Sequence, residues 1–124
     1  MKPVIVGTYD LGGEPVKLWL RPGTGGSCRG RGHEKKMTRM EIGADHDDWS
    51  DIFEVALHEA TEFVGVRLGC QYSPFVDYSQ DMTARLIVQT HAQHSEICAR
   101  AGAFLADCYD DLKAAWKRWK KDQR

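Results

Sequence analysis

Residues 47–69 read DDWSDIFEVALHEATEFVGVRLG, and this stretch decides the fold class that we predict. Its apolar residues recur every three or four positions and form one broad stripe, as a helix that faces a hydrophobic core requires. The stripe consists of Ile52, Phe53, Ala56, Leu57, Ala60, Phe63, Val64 and Leu68. Asp47, Asp48 or Ser50 can supply the N-cap, and Gly69 is placed to end the helix.

The amino-terminal part of the chain predicts a small antiparallel sheet. Residues 3–9, PVIVGTY, and residues 16–21, VKLWLR, are rich in β-branched, aromatic or alternating apolar side chains, and the sequence DLGGEP separates them. Two such runs joined by a short Gly/Pro turn are typical of a β-hairpin. Residues 36–44, KMTRMEIGA, alternate and predict a third strand of the sheet. Residues 85–89, RLIVQ, predict a short strand that could be added to it.

The carboxy-terminal part predicts two helices. The sequence THAQ, which begins at Thr90, has the form of a capping box, so we expect a first helix over residues 91–108. Asp110 or Asp111 then caps a final helix, which ends in a basic tail at residues 117–124. The core stripe of the first helix consists of Ile97, Ala101, Phe104, Leu105 and Cys108.

These elements together predict an α+β fold. The small antiparallel sheet, made of the hairpin and the third strand, packs on the helix of residues 47–69 and on the two carboxy-terminal helices. A chain of 124 residues fits one domain, residues 1–124, with one hydrophobic core.

Composition excludes several classes of protein. The 17 Lys and Arg residues nearly balance the 18 Asp and Glu residues, so the net charge of −1 gives no overall attraction to nucleic acid or to a membrane surface. No apolar run is long enough to span a bilayer, and the amino terminus lacks the apolar region of a signal peptide. We therefore expect a cytoplasmic protein. Its four cysteines have no CxxC pairing, and we expect them to be reduced.

The helix of residues 47–69 carries the residues that best suit chemistry, His58-Glu59-Ala60-Thr61-Glu62. Residues four apart share a helix face, so His58 and Glu62 can present a nitrogen and a carboxylate to one metal ion. A catalytic metal site also needs a neighbouring carboxylate that takes a proton from metal-bound water. Glu59 has the residue type and the position for that role.

The sequence ALHEATEFVG, residues 56–65, resembles the active-site helix of the zincin metallopeptidases, whose motif is HExxH. The chain is also similar to small phage- and prophage-encoded proteins of zincin-like fold, in which a hairpin and a strand precede such a helix. The resemblance covers the order of elements over about residues 1–70 and one five-residue motif. It implies that His58 is the first zinc ligand and that Glu59 is the general base. The second ligand position falls on Glu62, where the family has histidine.

A third zinc ligand must come from another segment. His91 and His94, in the sequence THAQH, are the leading candidates because they are three residues apart at the start of a helix. His33 and His46 are less favoured candidates. In its active form, such a protein would be a zinc-dependent peptidase that hydrolyses a peptide.

A second hypothesis belongs to a different class of function. Residues 22–36, PGTGGSCRGRGHEKK, predict a flexible basic loop that could contact a partner through Arg29, Arg31, Lys35 and Lys36. With the basic tail, this loop suits a non-catalytic interaction module that binds a host protein, such as a phage inhibitor of a host defence system. Nucleic acid is a less favoured partner, because the chain as a whole is not basic.

Overall fold

The computed structural model describes residues 1–30, 37–72 and 86–123 of the chain, without the side chains of residues 71, 72 and 86. The α+β fold class is confirmed, since the described residues form a four-stranded sheet, a small two-stranded sheet and two helices. In chain order, the elements are β1 (Val4–Leu11), β2 (Glu14–Arg21), β3 (Gly26–Arg29), β4 (Thr38–Gly43), α1 (Trp49–Arg67), β5 (Gln71–Tyr72), β6 (Leu86–Ile87) and α2 (His91–Asp122).

The main sheet is mixed, so the prediction of a purely antiparallel sheet is wrong. The strand order is β1-β2-β4-β3. β1 and β2 form the predicted antiparallel hairpin, but β2 and β4 run parallel, and β3 pairs antiparallel with the far side of β4. Parallel neighbours need a crossover connection. Here β3 is part of that connection: it lies at the edge of the sheet, and β4, which follows it in the chain, lies between β3 and β2.

Two further predictions about strands need correction. The sequence predicts a flexible loop over residues 22–36, but residues 26–29 form β3, whose pairing with β4 satisfies their backbone groups. The strand predicted at 85–89 is described only as β6, and it pairs with β5 in a separate two-stranded sheet instead of joining the main one.

Both helices pack on one face of the main sheet. The alternation of β2 directs Val16, Leu18 and Leu20 into the core, where each is fully buried. On the neighbouring strand, Met40 and Ile42 are buried in the same layer. α2 crosses the hairpin side of this face, and α1 covers β3 and β4. The core therefore lies between the sheet and the helix pair, and the other face of the sheet carries the remaining side chains of each strand.

Helix α1 confirms the predicted helix and most of its stripe. It begins after the N-cap Asp48 and ends before Gly69, whose φ of +74° is one that glycine adopts without strain. Most of the predicted stripe is buried or packed against the core. Leu57 is the exception, because 41% of its surface is exposed. The buried stripe is thus narrower than the sequence pattern indicates.

The carboxy-terminal region is one helix of 32 residues, so the prediction of two helices is wrong. The predicted capping box is present at Thr90, and all five predicted stripe residues are buried. Asp111 does not start a new helix, and its carboxylate accepts a hydrogen bond from the Tyr9 hydroxyl at 2.7 Å. The buried stripe continues through Leu112, Ala115, Trp116 and Trp119. Most of the predicted basic tail is consequently the last turns of α2.

Two general features complete the fold. The four cysteines are free thiols, two of them buried, as expected for reduced cysteines that pack as small apolar residues. Of the helices in the described residues, none is long and apolar enough to cross a membrane.

Candidate functional site

Within the HExxE motif of α1, His58 and Glu62 are accessible to solvent, whereas Ala60 is buried in the core. His58 and Glu62 are one turn apart, and the imidazole Nε2 is 2.9 Å from the carboxylate Oε2. Their side chains are 67% and 37% exposed. The predicted pairing on one helix face is therefore present. Since both groups are accessible to solvent, this pair by itself stabilises the helix by only a few tenths of a kcal/mol, about 0.3–0.5.

Glu59 lies nearer the sheet and is less accessible than His58. It packs beside β3 at Gly26, where an added Cβ would lie 2.7 Å from Val55 Cγ1, 3.0 Å from the Glu41 backbone oxygen and 3.1 Å from Glu59 Cγ, so the position suits glycine. Partial burial raises the pKa of the Glu59 carboxyl, and the neighbouring Glu62 raises it further. His58 and Arg21 act in the opposite direction. The carboxyl thus has the increased proton affinity that a general base or acid uses, but it lies on the side of α1 that faces Gly26 and Cys28 of the sheet.

The predicted third ligands lie in the first turns of α2 and are both exposed. His94 contacts residues that are close to it in the sequence. Its Nδ1 is 2.8 Å from the Gln89 side-chain nitrogen, and its Nε2 is 3.7 Å from the Cys98 sulfur. His91 precedes it by one turn of the helix. Across residues 1–30, 37–72 and 86–123, no three His, Cys, Asp or Glu side chains are grouped so that they could hold a metal ion.

Of the four predicted partner-binding residues, the structure describes Arg29. It ends β3 and is exposed. Arg31, Lys35 and Lys36 lie outside the described residues, as does the less favoured ligand His33. The other such ligand, His46, accepts a hydrogen bond from the Gly25 backbone at 3.4 Å.

The register of the sheet places Arg29 in a row of three cations. Lys17 of β2 is the direct partner of Arg39 on β4, and Arg39 is in turn the direct partner of Arg29 on β3. We call these three residues the cation row. Lys17 and Arg39 alternate with the buried residues of their strands, and Arg29 shares a face with Arg39 as its direct partner. They therefore lie on the face of the sheet opposite the helices, which we call the open face.

A second row on the open face is partly apolar. Trp19 lies two residues along β2 from Lys17, and its cross-strand partners are Ile5 on β1 and Glu41 on β4. Ile5 is 54% exposed, which is unusual for an isoleucine in a strand. The guanidinium carbon of Arg39 lies 4.0 Å from the centre of the Trp19 ring, within the range of a cation–π interaction.

Arg39 is held firmly at the centre of the open face. Besides stacking on Trp19, it places Nη2 3.4 Å from Oε1 of Glu41. Its Nε and the Trp19 indole nitrogen are covered, and neither has a hydrogen-bond partner among the residues that the structure describes. Because its side chain remains 40% exposed, the outer edge of the guanidinium can still donate hydrogen bonds.

The cation row has a cost in folding stability. Like charges placed directly opposite each other on neighbouring strands are destabilising, by about 0.2–1 kcal/mol a pair. The row contains two such pairs, and Glu41 is the single carboxylate that the described structure pairs with it. Sequence reasoning missed Lys17 and Arg39, although the alternation of VKLWLR and TRMEIG predicts that both lie on the polar side of their strands. Only the strand order shows that they are neighbours.

Comparison of the chain with protein-family models, with curated proteins and with solved structures finds no match to any of the three.

Proposed function

We propose that this protein is a non-catalytic interaction module that binds an acidic segment of a partner protein through the open face of its sheet. The observation that carries the proposal is the cation row. Lys17, Arg39 and Arg29 are adjacent on three neighbouring strands, where their mutual repulsion opposes folding. When a carboxylate-rich segment binds, its negative charges offset the repulsion among the three cations. Its carboxylates also accept charge-assisted hydrogen bonds from them.

The chemistry of Arg39 supports a carboxylate ligand. Stacking on Trp19 fixes the plane of the guanidinium before a ligand arrives, so that little side-chain entropy is lost on binding. A planar guanidinium matches the two oxygens of a carboxylate. In the sequence, Arg29 is followed by Arg31, Lys35 and Lys36, which lie outside the described residues. In the phage setting that the zincin resemblance suggests, the partner is a host protein in the cytoplasm.

The test is direct binding of a fluorescein-labelled oligoglutamate peptide of about 15 residues, which is long enough to cross the whole row. Fluorescence anisotropy should give an affinity that falls with increasing salt and that falls at least about tenfold in the Lys17→Glu/Arg29→Glu double variant. Ala99→Glu/Ala114→Glu, which adds negative charge at two exposed positions on α2, is the control and should bind as the wild type does. Equal affinity for the wild type and the double variant would contradict the proposal.

The contact between His58 and Glu62 favours a second candidate, a zinc-dependent peptidase. The two side chains that the zincin resemblance assigns as ligands are within 2.9 Å of each other, and Glu59 follows His58 directly. Here the metal would polarise the scissile carbonyl, and Glu59 would take a proton from water. Elemental analysis of protein purified without chelator should then give about one zinc per chain. His58→Ala should abolish it, whereas Glu59→Gln should keep the metal and lose hydrolysis. Zinc content near zero would exclude this candidate.

A further inference from the structure

The spacing of the cation row restricts the shape of the bound segment. Neighbouring strands are about 4.8 Å apart, so the row from Lys17 to Arg29 spans about 9.6 Å across the strands. In an α-helix, residues i and i+7 are separated by a rise of about 10.5 Å, with residue i+3 or i+4 between them on the same face. An extended chain places alternate side chains about 6.6–6.8 Å apart, so three of them span about 13 Å. That span is longer than the cation row, so an extended segment matches the three cations less well than a helix does.

The second row of the open face gives this segment an apolar side. Trp19 lies two residues along β2 from Lys17 of the cation row, a distance of about 6.6 Å, and Ile5 is its cross-strand partner on β1. That distance is within the diameter of a helix, about 10 Å with side chains, so one helix can contact both rows at once. The exposed surface of Ile5 is then covered by apolar residues on the neighbouring ridge of the bound helix.

Charge complementarity distinguishes the partner from an ordinary apolar helix. By strand alternation, the charged side chains that the described strands place on the open face are the cations Lys17, Arg21, Arg29 and Arg39 and the anions Asp10 and Glu41, so cations are in excess. An apolar helix would leave the cation row desolvated and unpaired, at a cost of several kcal/mol for each buried charge. A helix that carries glutamate or aspartate opposite the row satisfies it.

We propose that the open face binds an acidic amphipathic helix that lies across the strands. Acidic residues at i, i+3 or i+4, and i+7 contact Lys17, Arg39 and Arg29. Apolar residues on the adjoining side of that helix pack on Ile5 and Trp19. This inference rests on the proposed function and names the shape of the partner segment.

The experiment compares three labelled peptides of about 20 residues, a length at which isolated helices become appreciably populated. The patterned peptide places glutamates at i, i+4 and i+7 beside an apolar ridge. The permuted peptide has the same composition with the glutamates distributed around the helix. The extended peptide keeps the patterned order of side chains but contains prolines that prevent helix formation. Oligothymidylate of similar length is a fourth probe, and sedimentation measures self-association of the protein without any peptide.

Binding is measured by anisotropy for the wild type, the Lys17→Glu/Arg29→Glu double variant, Ile5→Ala and the control Ala99→Glu/Ala114→Glu. We expect the patterned peptide to bind at least about tenfold more tightly than the other two peptides. The double variant and Ile5→Ala should both weaken that binding, and the control should leave it unchanged. Circular dichroism of each variant establishes that it is folded.

The alternative outcomes separate the two proposals. If the extended peptide binds as tightly as the patterned one and the double variant weakens both, the helical partner is overturned and the proposed function stands. If no acidic peptide distinguishes the wild type from the double variant, both are overturned. Tighter binding of oligothymidylate than of the patterned peptide would show a nucleic-acid surface and would overturn both. Self-association that the double variant abolishes would show that a second copy occupies the open face, which overturns the partner helix.

Discussion

Replacing Arg29 by glutamate tests whether this cation contributes to ligand binding or to folding stability. In the native sheet, Arg29 is directly opposite Arg39, so the two charges repel each other. The carboxylate that Arg29→Glu introduces would instead attract Arg39. Arg29→Gln is the matched control, because glutamine has nearly the same shape and strand propensity as glutamate without its charge. The comparison of the two variants therefore isolates the electrostatic contribution to folding stability.

The magnitude follows from the position of the pair. A favourable cross-strand charge pair contributes about 0.2–1 kcal/mol, and exposure to solvent places this pair at the low end. Arg29 is exposed and the Arg39 side chain is 40% exposed. We expect Arg29→Glu to be more stable than Arg29→Gln by about 0.2–0.4 kcal/mol at low ionic strength. At 1 M salt the Debye length is about 3 Å, so the difference should disappear.

Urea unfolding, followed by circular dichroism at low and high salt, measures this difference without adding charge through the denaturant. The same Arg29→Glu substitution should weaken binding of an acidic ligand, so that stability and binding change in opposite directions. If Arg29→Glu is the less stable of the two variants at low salt, Arg29 is not repelled by a neighbouring cation in the native sheet. That result would refute the claim that the cation row favours binding and lowers folding stability.

Three further predictions test the fold and the motif helix. Leu112→Ala should lower the free energy of unfolding, measured with urea, by about 2–5 kcal/mol, because Leu112 is 1% exposed in the continuous core stripe of α2. A decrease below about 1 kcal/mol would contradict a single helix with a continuous buried stripe. Leu57→Ala should cost less than about 1 kcal/mol in the same assay, since Leu57 is 41% exposed, and a core-sized loss would contradict its placement. The pKa of Glu59 is raised above its ordinary value of 4.5 in the folded protein, so the folded state binds more protons and stability falls as pH rises from 4.5 through the raised pKa. Glu59→Gln should reduce the decrease in the free energy of unfolding, measured with urea, between about pH 4.5 and 7. An unchanged or steeper decrease would contradict the burial of the carboxyl.

Local signals in the sequence predict the helices and their starts. The capping box at Thr90 is present as expected, since the Gln93 backbone donates to Thr90 Oγ1 at 3.1 Å and the Thr90 backbone donates to Gln93 Oε1 at 2.9 Å. Such contacts lie within four residues of each other, and the residue types alone specify them. The pairing of His58 with Glu62 is predictable for the same reason.

Contacts between distant segments are not predictable in this way. Asp111 has the residue type of an N-cap, but its carboxylate contacts the Tyr9 hydroxyl, 102 residues away, and the buried stripe of the helix continues past it at Leu112. β3 lies in a glycine-rich stretch without a strand pattern, and its pairing with β4 supplies the stability that its sequence lacks. The cation row depends on the parallel register of β2 and β4. Its residues come from three separate segments of the chain, so no local motif reveals it.

Chemical-shift mapping tests most directly whether the open face of the sheet is the contact surface. A ¹⁵N-labelled sample is titrated with the acidic patterned peptide, and shift changes of the backbone amides are followed residue by residue. The interaction module predicts that the largest changes occur at Lys17, Arg29 and Arg39, with little change at His58 and Glu62. The largest changes at His58 and Glu62, with the strands unaffected, would contradict the account.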